Sequence, residues 1–195
     1  MSVDLSALKL RRMAPVPIRS GGRIVSPLNG ATTFIDRLGS RWAFECQTPP
    51  MPLEPEGRQW AAKLMEATRV GGRVRIAQPG FNIGPAGAPV VASEILAGRQ
   101  VPLSGVQPGY AFRVGQWVSI IIDGQRYADQ IAEQAIAAVE GTVTIRLQNL
   151  LRRPLAGGEA VEVLAMVEGA IELSDGWNVD NDEVVSFSFT ITEDE

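Results

Sequence analysis

The chain has 195 residues, 45% of them hydrophobic, which is enough to bury a core in one ordinary domain or in two small β modules. One cysteine, Cys46, excludes an internal disulfide, and the absence of histidine removes the usual zinc ligand and the usual general base of serine and cysteine hydrolases. No apolar run approaches the ~20 residues of a membrane helix, and no apolar segment of a secretory signal opens the chain, so the expectation is a soluble protein made in the cytoplasm.

Twenty Gly and 13 Pro are spread between Val/Ile-rich runs, the punctuation of many short strands. The net charge of −4 conceals a split. Residues 1–100 carry 13 Lys+Arg against 7 Asp+Glu, whereas residues 101–195 carry 5 against 15. An acidic chain whose only lysines are Lys9 and Lys63 lacks the basic footprint of a dedicated nucleic-acid binder.

In chain order, the first 50 residues read as β, with the extreme N-terminus around Ser6 and Lys9 as a solvated arm. The segment RIVSPLNGATTFIDRLGSRWAFECQ alternates like a β hairpin or meander, with Asn29-Gly30 as its turn signal and Phe34, Trp42 and Phe44 as one buried face. The proline-rich TPPMPLEPEG at 48–57 cannot be a central strand. After it, Trp60, Leu64 and Ala67 fall on one face of a helix predicted at about 56–69, closed by Gly71-Gly72. A short strand follows at 73–80, and the Gly, Pro and Ala of 81–109 read as loop.

A second β module begins near Tyr110. Two strands joined by Asp123-Gly124 lead to EGTVTIRLQNLL and EAVEVLAMVEG, which add two more across RRPLAGG. Asp175-Gly176-Trp177 and Asp180-Asn181-Asp182 read as loops. The closing strand EVVSFSFTIT puts Val185, Phe187, Phe189 and Ile191 on one face, and TEDE reads as a solvated acidic end. The fold class is therefore mainly β, with two small barrel or sandwich modules and one short α-helix.

Nothing in this pattern assembles a catalytic set, so no enzyme, cofactor or metal site is expected. Ser6 and Lys9 match a Ser-x-x-Lys spacing but lack its companion motifs. Asp175, Asp180 and Asp182 offer carboxylates to a hard cation, yet their spacing fits no calcium loop. Cys46 beside Phe44 reads as a small buried hydrophobe, and Trp60 as a core anchor. The glycines of GFNIGPAGAPVV lack the strand and helix of a phosphate cradle. Trp117 and Trp177 remain as possible exposed platforms for sugars or proteins.

The segments PPMPLEPEGRQW, RIAQPGFNIGPAGAPVV, PGYAFRVGQWVSIIIDGQRYADQI, EGTVTIRLQNLLRRPLAGGEAVEV and AMVEGAIEL resemble minor tail proteins of long-tailed bacteriophages and related prophages, more specifically the distal tail protein. The resemblance spans about residues 40–175. It implies a ring-forming β-barrel domain from residues 1–84 plus 166–195, carrying the helix, and an inserted β-barrel module at 85–165. It further implies a virion protein of the tail tip, made in the host cytoplasm. Such a subunit forms a homohexameric ring, binds the tail tube protein on one side and hub or fibre proteins of the baseplate on the other, and lets DNA pass its lumen without specific binding. The candidate interaction surface comprises Trp117, Trp177, Arg152, Arg153, Glu159, Glu162 and Glu168. Within the acidic half, Glu159, Glu162, Glu168 and Glu172 are the expected contributors to the lumen or an inter-ring face, because an acidic wall does not hold the phosphate backbone. A small carbohydrate-binding β-sandwich, with Trp117 or Trp177 as its platform, is the rival reading. No long insertion of the carbohydrate-binding kind is present.

Overall fold

The structure is a computed structural model that describes residues 2–27, 29–179 and 184–194; of 175–179 it describes the backbone alone. The first half forms β1 (Val3–Asp4), β2 (Arg12–Ile18), β3 (Gly22–Val25), β4 (Thr32–Ile35), β5 (Arg41–Gln47) and β6 (Met51–Pro52), then a turn at Leu53–Gly57 that runs into α1 (Arg58–Val70) and β7 (Gly72–Arg75). The middle forms β8 (Gly87–Val91), β9 (Gln100–Val106), β10 (Ala111–Phe112), β11 (Trp117–Ile122), β12 (Gln125–Glu133), β13 (Ala135–Ile136), β14 (Val143–Leu147) and β15 (Val161–Glu162). Two long strands, β16 (Met166–Val179) and β17 (Val184–Glu193), end the chain. The protein is mainly β with one short helix, as its composition predicts.

The alternation in β17 sends Val185, Phe187, Phe189 and Ile191 inward, all buried, and this row organises the first sheet. Its strand order is β1-β7-β16-β17-β5-β2, with β6 also pairing with β17. Phe44 and Cys46 of β5 meet that row, and α1 covers it with Leu64 and Ala67, Trp60 packing at the margin. Strand β16 passes close to β17 because residue 169 is glycine: a Cβ there would lie 1.9 Å from the Thr192 carbonyl oxygen. Gly71 at φ 79° ends the helix one residue beyond the predicted region, its N–H bonded to the Ala67 carbonyl.

The second sheet has the order β15-β11-β12-β14-β9-β8. Val90 bridges Ala160, and Val91 exchanges backbone hydrogen bonds with Glu159 and Gly158, so the sheet is nearly closed into a barrel. Val101, Leu103, Val118, Ile120, Ile131 and Ile145 fill it. Asp123 at φ 52° and Gly124 at φ 83° make the tight turn between β11 and β12 that the dipeptide predicts.

Several sequence expectations are corrected. Residues 81–109 are not all loop: they hold β8 and β9, with Pro89 at the register break between Gly87 and Val90, so the prolines mark irregular pairing, not its absence. The N-terminal arm is not solvated, because β1 pairs in parallel with β7 and buries Leu5 and Leu8 in the first core. Residues 159–169 split between β15 of the barrel and the start of β16 in the other sheet. Asp175-Gly176-Trp177 belongs to strand β16, where the register shifts between Leu173 and Trp177; Asp180, Asn181 and Asp182 lie outside the described residues.

Phe34 departs furthest from expectation. Strands β3 and β4 pair with one another and, among the described residues, with no other strand, so Phe34 is 77% exposed while Phe44 is fully buried and Trp42 half-buried. The chain leaves the sheet after β2 and returns at β5, which pair directly, and the hairpin between them stands clear of both cores.

Candidate functional site

The two sheets meet along the outer face of the β11–β12 hairpin. One face of that hairpin fills the barrel with Val118, Ile120 and Ile131; the other presents Trp117 and Ala128 to the first core. Trp117 is 6% exposed, with its ring centroid 4.9 Å from that of Trp42 and 5.1 Å from that of Phe44. It is therefore a joint between the sheets, and its reading as an exposed platform is corrected. The side chain of Trp177 lies outside what is described.

A polar cluster seals one end of this seam. Glu193 accepts the backbone N–H of Trp42 at 2.8 Å and of Ala128 at 2.6 Å, and pairs with Arg152 at 3.0 Å. Asp129 accepts the Trp42 indole N–H at 3.1 Å, the Gln130 N–H, and both the backbone and side-chain N–H of Asn149. Trp42 thus ties β5 to both carboxylates. Burial pushes both carboxyls up from their ordinary range, against the opposing pull of Asn149 N–H on Asp129 and of Arg152 on Glu193. Glu193 is 2% exposed, which corrects the solvated reading of the end: the inward period of β17 continues through Ile191 to residue 193.

A second cluster seals the other side. Arg126 forks onto Glu162 at 2.9 and 3.0 Å and reaches Glu168 at 3.3 Å. Ser2 donates its hydroxyl hydrogen to Glu168, and Ser119 Oγ exchanges hydrogen bonds with the Met166 backbone. The Arg126 guanidinium is held protonated first by Glu162 and then by Glu168, with burial opposing. Glu162 and Glu168 therefore share one guanidinium within the chain, Glu162 half-buried and Glu168 more deeply set between the sheets.

The remaining sequence candidates divide. Arg152 is also internal: it donates to the Asp194 carbonyl at 3.0 Å and lies 4.8 Å over the Tyr127 ring. Arg153 is exposed, 5.7 Å from the same ring. Glu159 closes its own turn, accepting the N–H of Ala156 and Gly157. Ser6 is held with Asp4, whose carboxyl is drawn well below its usual range by the Ser6 hydrogen bonds and by Arg73 at 2.7 Å. Lys9 is exposed, and Cys46 is buried with its thiol pushed up to about 12 by desolvation. Among the described residues no group of three or more Asp, Glu or Cys is placed to hold a metal ion, and no helix is long and apolar enough to cross a membrane.

What sequence reasoning missed are surfaces. The β3–β4 hairpin exposes Ile24, Val25 and Phe34, with Leu38 just beyond. On the outer face of the first sheet Thr190 stands between Glu45 and Glu172, both exposed, with Ser188 and the exposed Arg12 beside them. A groove lined by Ala88, Pro89, Val90, Val163, Leu164 and Met166 runs where the barrel closes against the first sheet. The hairpin was legible in part, since apolar residues on both of its faces leave one uncovered whichever way it packs. The chain matches no family model and no curated protein.

Proposed function

We propose that this protein is a non-enzymatic structural subunit that forms a homo-oligomeric ring, most simply a hexamer, at the distal end of a bacteriophage tail, between the tail tube and the hub or fibre proteins. The observation that carries this reading is the chain topology. The first sheet takes strands from both ends of the chain, and the nearly closed second sheet is formed by residues in between. That is the arrangement a distal tail protein calls for: a ring-forming layer that tolerates an inserted barrel without interruption of its own core.

The seam supports a rigid building block. A subunit that bears load between neighbours needs its two sheets to move together, and the Trp42–Trp117 contact, the Glu193–Arg152 pair and the Arg126–Glu168 pair join them. Function then resides in surfaces, and the face that carries Glu45 and Glu172, more than Glu162 and Glu168 with their Arg126 partner, is suited to passing DNA without retaining it. Negative-stain electron microscopy of the purified protein tests the reading. Closed rings with a central opening are expected; a protein that stays monomeric at high concentration and binds immobilised glycans would replace it with the carbohydrate-binding alternative.

A further inference from the structure

The β3–β4 hairpin and the barrel groove lie on different parts of one chain and have matching chemistry. On the hairpin, the register sets Arg23 opposite Phe34 and Val25 opposite Thr32, so Phe34, Val25 and Arg23 share one face, while Ile24 lies on the other. Its base is anchored: Asp36 pairs with Arg99 of the barrel, and the Ser20 N–H bonds to the Ser40 hydroxyl. Its body from 22 to 34 is exposed on both faces apart from half-buried Ser26, Leu28 being outside the described residues. With Asp36 engaged, the hairpin presents apolar side chains flanked by Arg23 and Arg37. Isolated exposed apolar residues are ordinary, but a cluster on a projecting element marks a contact surface.

The groove is the converse. Ala88, Pro89, Val90 and Val163 are small or rigid apolar residues, and Leu164 is exposed at its lip. Arg75 and Glu162 also line it, the latter held by Arg126, and Glu159 stands beside Ala160 on its barrel side. With Arg75 and Glu162 both at its margin the trough carries no net charge preference, and its match to the hairpin is apolar: exposed Phe34, Val25 and Ile24 against Ala88, Pro89, Val90, Val163 and Leu164.

The two features do not meet within this molecule, where Phe34 and Leu164 are both exposed. The hairpin springs from β2, the last strand of the first sheet, whereas the groove adjoins the Arg75–Met166 pair of β7 and β16, and four strand spacings separate β2 from β7, about 19 Å at ~4.8 Å per strand. Pro15 and Pro17 also blunt β2 itself against simple strand addition, which leaves the hairpin as the projecting element at that end.

We infer that the β3–β4 hairpin of one copy seats in the groove formed by 87–90 and 160–166 of the next, a head-to-tail contact between copies of this chain. Knob and socket on different faces make the contact heterologous, which closes into a ring when the rotation per subunit divides a full turn. The inference rests on the ring reading and adds its contact.

The test uses the intact protein and two exposed substitutions, Phe34→Asp on the knob and Leu164→Asp in the socket, each checked for wild-type thermal unfolding. At a concentration where the wild type forms rings, each variant alone is expected to be monomeric, with assembly weakened at least tenfold. An equal mixture is expected to stop at dimers, because an intact knob on one variant can fill an intact socket on the other once only. Rings formed by either variant as readily as by the wild type would overturn the contact while leaving the ring reading standing; a wild type that is monomeric throughout would remove both. As a second arm, the Phe34→Cys/Leu164→Cys chain should yield a ladder of covalent multimers on oxidation, and its absence from assembled protein overturns the contact.

Discussion

Two hairpins in this molecule are announced by the same kind of turn signal and meet opposite fates. Asn29-Gly30 connects β3 to β4, and Asp123-Gly124 connects β11 to β12. The first pairs with nothing else described and leaves Phe34 in solvent; the second is covered on both faces, one by the barrel core and the other by the first sheet. Turn chemistry thus dictates that a hairpin forms but not where it goes. The difference is written in the strands: Val118-Ser119-Ile120-Ile121 is a nearly continuous apolar run, as two-sided burial requires, whereas Thr32-Thr33-Phe34 has no such continuity. A core hairpin holds the molecule together, and a bare one is available to hold molecules to each other.

The largest way to sharpen this contrast is to truncate a phenylalanine in each environment. Phe187→Ala, in the row that organises the first core, should cost ~3–5 kcal/mol in chemical denaturation, while Phe34→Ala should change the stability of the monomer by no more than about 0.5 kcal/mol. Equal losses would mean that the hairpin is packed in solution. Next in size is Arg126→Ala, which strands Glu162 and Glu168 between the sheets. A loss of about 1–3 kcal/mol is expected, the scale of a buried acceptor left unsatisfied, and a much smaller one would place these pairs with ordinary surface ion pairs.

The seam also predicts a pH dependence. Asp129 and Glu193 have folded pKa values above their ordinary ones, so the native state holds their protons more tightly than the unfolded chain does. Their contribution is fully present below the ordinary carboxylate range and is lost as pH rises through the folded values. Asp4 has the opposite sign, its contribution fading only as pH falls below the ordinary range. Thermal unfolding should therefore shift upward as pH falls from neutral toward about 4.5, and the Asp129→Asn/Glu193→Gln protein should lose most of that slope. A slope unchanged in the double variant would assign the dependence to other groups. The smallest effect concerns Cys46: with its thiol pushed to about 12, native protein at pH 8 should react with a thiol reagent only as fast as the chain opens, and prompt labelling would mean that β5 is accessible.

How far the sequence could be read follows from these same elements. The inward row of β17 was legible because period two is uninterrupted over four apolar residues, and α1 because Trp60, Leu64 and Ala67 recur at helical spacing. Strands β8 and β9 were hidden by glycines and prolines that local propensity assigns to loops, although barrel closure through Val90 and Ala160 pairs the segment anyway. Trp117 was misread because a tryptophan in a strand carries no mark of which face is outside when both are buried. That Glu162 and Glu168 meet Arg126 was not legible, because the three come together across 36 and 42 residues of chain, a juxtaposition set by tertiary packing. Glu193 needed only the period of its own strand carried two residues past Ile191.

The contrast between the hairpins is measured most directly by amide hydrogen exchange on the intact protein, followed from dilute to ring-forming concentration. In dilute protein the amides of 22–35 should exchange far faster than those of 117–133, and on assembly 22–35, together with 87–90 and 160–166, should become protected while the β11–β12 amides stay as they were. Rings that form with 22–35 still exchanging freely, or a hairpin already protected in the dilute monomer, would contradict the account.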